Sequence, residues 1–192
     1  MSVTGILLAA GKGSRFGGDK LLHPLANGTP MGVQSARRLQ VGCDHVIAVV
    51  KPHDDLLAEL LTQEGCKVVV CAAAGGGMGH SLAAGVRAAA QAEAWIAALG
   101  DMPYILPSTY QALRDALSGG AALAAPTYRE QRGHPVGFSR PWFDALAALK
   151  GDQGARSIIQ HHLDRMVLCP VADAGILHDI DHPVDIRPSH VA

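Results

Sequence analysis

Neither sign of charge dominates this chain: sixteen Lys and Arg stand against seventeen Asp and Glu, a net charge of −1. The basic excess with which nucleic-acid binders neutralise phosphates is missing. No apolar run approaches the roughly 18 residues of a membrane span, and no N-terminal stretch pairs a charged start with a long apolar core. A soluble, cytoplasmic protein is expected, with neither a membrane nor a nucleic acid as partner. The four cysteines, Cys43, Cys66, Cys71 and Cys169, include no C-x-x-C pair, which removes the usual spacing of a zinc knuckle or a redox dithiol. Buried reduced thiols are expected instead. Ten histidines are scattered, close in sequence only as His178 with His182 and as the adjacent His161 and His162. No Ser-His-Asp or Cys-His set is evident.

What is present is one core of ordinary size. With 192 residues, 48% of them hydrophobic, residues 1–192 are read as a single domain. The most informative stretch is Leu7 to Leu22, LLAAGKGSRFGGDKLL. An apolar run from Val3 to Ala9 reads as a buried strand, and it breaks into a loop holding Gly11, Gly13, Gly17 and Gly18 with Lys12, Arg15 and Lys20. Glycines there let backbone N–H groups turn inward toward a polyanion, and the cations add charge to the concavity. A surface loop that is merely flexible accounts for the glycines but not for three spaced cations behind a buried strand.

Two better-known phosphate loops do not fit. Gly5 and Gly11 enclose five residues and Lys12 is followed by Gly13, whereas a P-loop needs four and then Gly-Lys-Ser/Thr. A dinucleotide fingerprint needs a small residue where Phe16 stands, and Val49-Val50-Lys51 offers no acidic ribose reader after the second strand.

Further along, Pro30 fits the first turn of a helix running to about Val41, and His45 to Val50 is a second strand. Asp54 and Asp55 open a helix with Leu56, Leu57, Leu60 and Leu61 on one face and Gly65 as its stop. Lys67 to Cys71 is a third strand. The glycine-rich Ala72 to Ser81 leads into a helix marked by Leu82, Val86 and Ala89, and Trp95 to Leu99 is a fourth strand ending in Gly100-Asp101. Strands alternating with helices are the mark of a parallel sheet covered on both faces. An acidic residue at the end of a central strand points into the crevice where such sheets bind ligands, although an Asp before Met-Pro also suits an ordinary turn.

Ser108 is expected to cap a helix ended by Gly119-Gly120. Ala121 to Ala125 is a strand, and Tyr128 to Ser139 reads as a hairpin with Pro135 at an edge. Trp142, Phe143, Leu146 and Leu149 form a helix stopped by Gly151. Another helix carries Ile158, Ile159 and Leu163, and Met166 to Val171 is the last strand. The extended segment His178 to Asp185 holds Asp179 and Asp181. Its two histidines, four apart, admit a zinc pair, which extended backbone around Pro183 disfavours.

Leu8-Ala9-Ala10-Gly11-x-Gly13-x-Arg15-x-Gly17, with Lys20 following, resembles the signature of nucleotidyltransferases that move a nucleoside monophosphate from an NTP onto a phosphorylated acceptor. Lys20-Leu21-Leu22, Gly77-Met78-Gly79-x-Ser81, Gly133-His134-Pro135-Val136, Gly151-Asp152-x-Gly154-Ala155-Arg156 and Asp179-Ile180-Asp181 are similar to the molybdenum-cofactor branch, especially the molybdopterin cytidylyltransferases. The likeness runs from Ile6 to about Ile186. His80, His182 and Val184 depart from the branch's usual residues.

The resemblance implies a three-layer, mostly parallel, doubly wound Rossmann-like α/β sheet with a small β-hairpin insertion. It implies CTP as donor, a molybdopterin-type acceptor, and transient contact with a recipient molybdoenzyme or its chaperone. By the same resemblance Arg15, Lys20 and Asp101 are catalytic, and Asp101 and Asp181 bind Mg²⁺. The nucleotide would lie against Leu8, Ala9, Ala10, Gly11, Gly13, Arg15, Lys20, Gly77, Gly79, Ser81 and Asp101. His134 and Arg156 would face the acceptor, although Arg156 has Asp152 as an alternative partner. A guanylyl or sugar- or alditol-phosphate nucleotidyltransferase of the same fold, and a non-catalytic nucleotide-binding cofactor chaperone, are the other readings.

Overall fold

The computed structural model describes residues 1–11, 13 and 16–186. Its centre is a sheet of eight strands: β1 (Val3–Ala9), β2 (His45–Val50), β3 (Lys67–Val70), β4 (Ala94–Leu99), β5 (Leu123–Tyr128), β6 (Gln131–Arg132), β7 (Val136–Ser139) and β8 (Met166–Pro170). The order is β3-β2-β1-β4-β7-β5-β6, with β8 also paired to β5. β3, β2, β1 and β4 run parallel, as does β8 on β5, while β7 is antiparallel to both its neighbours.

Period-two alternation sends β1 to two cores at once. Val3, Leu7 and Ala9 face a layer built from α1 (Met31–Gln40), α2 (Asp55–Gln63) and α4 (Pro107–Ser118), which contribute Leu39, Leu61 and Leu113. Ile6 faces the opposite layer of α3 (Met78–Ala88), α5 (Phe143–Ala147) and α6 (Arg156–His161), with Val86, Leu146 and Ile159. Helices on both faces of a mostly parallel sheet are the three-layer architecture the sequence implies. Among the described residues, no helix is long and apolar enough to cross a membrane. All four cysteines are free, and three are buried while Cys43 is half-buried; burial pushes the Cys43 thiol up to about 12 and the Cys66 thiol to about 11.

Three local expectations change. α4 begins at Pro107, with Leu106 rather than Ser108 before it. Its first turn is served from far along the chain by the buried Asp173, whose Oδ2 accepts from the Leu106 N–H at 2.8 Å and the Thr109 hydroxyl at 2.6 Å. β5 continues through Pro126, because that residue stands where the pairing partner changes from β7 to β6 and an N–H is not needed. Pro135 does not mark a sheet edge. The strand after it, β7, is inserted between β4 and β5.

Candidate active site

The sheet order places β1 and β4 side by side, with the chain passing from β1 to β2 on one side and from β4 to β5, across the inserted β7, on the other. Such a reversal opens a crevice beyond the carboxyl ends of the strands. Leu8 pairs with Leu99, and the Gly100 N–H donates to the Leu8 carbonyl at 3.0 Å. The buried Ser35 hydroxyl fixes the turn by donating to the Gly100 carbonyl at 2.8 Å. Asp101 therefore emerges beside the first glycine-rich loop.

That loop folds back on itself. Gly13 has φ +57°, a left-handed conformation that side chains disfavour; its carbonyl accepts from the Phe16 N–H at 3.0 Å, and the Lys20 N–H donates to the Gly18 carbonyl at 2.9 Å. Lys20 then opens a 3₁₀ turn, Lys20–Leu22, with its side chain directed inward and only 8% of the residue exposed. Its Nζ donates to Asp101 Oδ2 at 2.8 Å and to Asp181 Oδ1 at 3.2 Å.

Asp181 reaches this point from the far end of the chain. Ile180 is fully buried with Leu25 and Met31, and its N–H donates to the Asp101 carbonyl at 3.0 Å. Burial on its own would lower the Lys20 pKa, but the hydrogen bond and charge of Asp101, and then those of Asp181, outweigh it and the net shift is upward. The ammonium is held charged. Two carboxylates around one monocation still leave a unit of negative charge, which is a favourable setting for a further cation.

The crevice is lined by Leu8, Ala9, Gly11, Gly13, Lys20 and Asp101 from the expected nucleotide set, joined by Lys51 and Asp54, themselves an ion pair at 3.4 Å. Ala10 is buried in the second core instead of lining it. Lys12 and Arg15 lie outside the described residues. Gly79 and Ser81 are buried at the start of α3, and Gly77 is half-buried. A Cβ on Gly77 would run into Gly151 and Asp152, and one on Gly79 would meet the Lys150 carbonyl; the Gly79 N–H also donates to the Gly151 carbonyl at 2.8 Å. These two glycines have a packing partner within the chain.

A second cleft, of about 620 Å³, adjoins the first across Leu8. It gathers His134 and Arg156, both expected at the acceptor, on an apolar floor of Val136, Phe138, Leu82 and Ile159. Among the described residues no ion pair joins Arg156 to Asp152, although both line this cleft. Arg132 stands there too and was not singled out from sequence; its place one residue before Gly133-His134-Pro135 was the available signal. His134 is exposed to solvent yet lines the cleft, close enough to its walls to be partly desolvated. That desolvation, with the Arg132 charge, lowers its pKa against the opposing pull of Asp101 and Asp179. His178 has a partner in the backbone of the same turn. Its Nε2 lies 2.9 Å from the Asp185 carbonyl, and among the described residues no group of three or more His, Cys, Asp or Glu side chains converges on a point.

A phosphate-type loop, a lysine bracketed by two carboxylates and an adjoining cleft, all at the switch point of a doubly wound sheet, define a nucleotidyltransferase-type α/β protein. Residues 5–166 match the MobA-like NTP transferase domain, and the chain belongs to that family. It is 30% identical to the purine catabolism protein PucB of Bacillus subtilis, covering 93% of this chain and 91% of that protein. It is also 30% identical to the nicotine blue oxidoreductase of Paenarthrobacter nicotinovorans, covering 93% and 92%. A probable molybdenum cofactor guanylyltransferase of Thermococcus gammatolerans is 37% identical over 54% of this chain and 50% of its own length. Among solved structures, Rv0371c of Mycobacterium tuberculosis in complex with manganese superposes with a TM-score of 0.73 at 25% identity, covering 96% of each chain.

Proposed function

We propose that this chain transfers CMP from CTP to the phosphate of a molybdenum-cofactor pterin, releasing pyrophosphate, with Mg²⁺ as cofactor. The observation that carries this reading is the convergence of Lys20, Asp101 and Asp181 at one point beside the first loop. Two carboxylates, not three or four, suit a hard cation that takes its remaining oxygen ligands from phosphates and water. Asp101 and Asp181 would hold it, and when bound it supplies charge neutralisation for the triphosphate. The manganese complex of Rv0371c, which shares this fold at 25% identity, supports a divalent-cation site in this chain.

In the reaction an acceptor phosphate oxygen forms a bond to the α-phosphorus as the bond from that phosphorus to the oxygen bridging to the β-phosphate breaks, and that oxygen leaves with pyrophosphate. The nucleophile is already an anion at neutral pH, so no proton has to be removed. The protein's contribution is position and charge. The first loop orients the triphosphate, and Lys20 meets negative charge developing on the departing group. Arg132, His134 and Arg156 receive the acceptor in the adjoining cleft, where an apolar floor suits a flat ring and the guanidiniums suit its phosphate. Cytidine is favoured over guanosine by Gly77-Met78-Gly79-His80-Ser81, which lacks the Gly-Pro-Leu-Ala-Gly of the guanylyl branch.

The test is pyrophosphate release with Mg²⁺ and each of the four NTPs, with and without molybdopterin, run beside an assay of NADH and NADPH oxidation because one relative is named an oxidoreductase. Release with CTP and the pterin alone is expected. Release with GTP instead would reassign the base, and nicotinamide oxidation without pyrophosphate would replace the reaction class.

A further inference from the structure

We infer that Asp185 is a positioning residue for Asp181, fixing the second carboxylate of the site through two backbone hydrogen bonds; this rests on the cation-binding reading given above. Asp185 Oδ2 accepts from the Asp181 N–H at 3.0 Å and from the His182 N–H at 2.7 Å. The turn closes in the other direction as well, since the Asp185 N–H donates to the His182 carbonyl at 3.0 Å. One carboxylate oxygen therefore pins the peptide unit on each side of the Asp181 α-carbon.

Among the described residues, the tip of this turn has little packing of its own. His182, Pro183 and Val184 are exposed, Val184 to 85%. The turn is anchored at its two ends instead. On one side Ile180 is buried and bonded to the Asp101 carbonyl. On the other, His178 donates from Nε2 to the Asp185 carbonyl at 2.9 Å, which fixes that tautomer, and its ring rests 5.6 Å from that of Tyr104. The histidine that in sequence suggests a zinc ligand thus serves as a clasp. Partners that orient a ligating carboxylate typically matter about 10- to 100-fold for metal affinity.

The experiment is a Mn²⁺ titration of the full chain, read by the loss of the free-ion paramagnetic resonance signal, with thermal unfolding measured on the same samples. Asp185→Ala is expected to weaken Mn²⁺ binding about tenfold. Asp185→Asn keeps an oxygen where both N–H groups point and is expected to restore most of that affinity. Wild-type affinity in Asp185→Ala overturns the inference. So does an Asp185→Asn variant as weak as the alanine, because the charge and not the hydrogen bonds would then matter. Asp181→Ala run in parallel separates the premises: if it binds Mn²⁺ like wild type, or if wild type binds none, the cation site falls and this inference falls with it. Loss in Asp181→Ala alone leaves the cation site standing and removes only the role of Asp185.

Discussion

Two glycine-rich loops follow strands of this sheet, and their glycines answer to different neighbours. In the first loop, Gly11, Gly17 and Gly18 have open space where a Cβ would stand. In the second, Gly77 and Gly79 are pressed against Lys150 to Asp152. Gly13 of the first loop is the exception on that side, close to Lys20 and Gly18, and Gly75 of the second has open space. A run of glycines after a strand is therefore not one signal, because a glycine in it marks either open space or the close approach of another part of the chain.

If the first loop serves chemistry, removing a charge beside it should change rate and not fold. Asp101→Asn is expected to slow pyrophosphate release roughly a hundred- to a thousand-fold with an unchanged circular dichroism spectrum. If the second loop serves packing, Gly77→Ala should act on stability. Gly77 has φ +116° and no space for a methyl group, so a loss of about 2–4 kcal/mol is expected, lowering Tm by roughly 5–15 °C. A Gly77→Ala protein as stable as wild type would erase the contrast between the loops.

Gly11→Ala is the reciprocal case. Its added methyl meets nothing in the free chain, so stability should stay within about 0.5 kcal/mol of wild type. Nucleotide binding should weaken about tenfold, as for one obstructed backbone hydrogen bond, read by titration calorimetry with CTP.

A third region, at the opposite end of the strands, gives the smallest effect. The Val3 N–H and then Arg114 hold the Asp44 carboxyl below its ordinary value of 3.8. Since the folded pKa is depressed, its stabilisation is present above the unfolded pKa and is lost as pH falls through the folded one. Asp44→Asn should therefore cost under about 1 kcal/mol at pH 7, given the exposure of the pair, and nothing at strongly acid pH. Activity should not change.

How much of this was legible in the sequence follows the range of the forces involved. β1 and β2 have the boundaries their apolar runs imply, because a buried strand states its own limits. The convergence of Lys20 with Asp101 and Asp181 agrees with what the motifs imply, although the contacts span 81 and 161 residues. There the resemblance supplied what local pattern does not. Interactions lacking both a period and a motif stayed hidden. The start of α4 depends on Asp173, 67 residues beyond Leu106, and the insertion of β7 between β4 and β5 is a property of sheet topology that no local residue announces. Arg132 carries no local signal of its own, since an Arg in a charged turn ordinarily faces water; this one is exposed as expected and also borders the cleft of His134 and Arg156.

The most direct measurement is CTP-dependent pyrophosphate release, in the presence of Mg²⁺ and molybdopterin, by wild type and Lys20→Ala side by side, with folding of both verified by circular dichroism. Wild type should turn over, and the folded variant should do so at least about a hundred-fold more slowly. Equal rates from the two proteins would remove Lys20, and the point where it meets Asp101 and Asp181, from the chemistry.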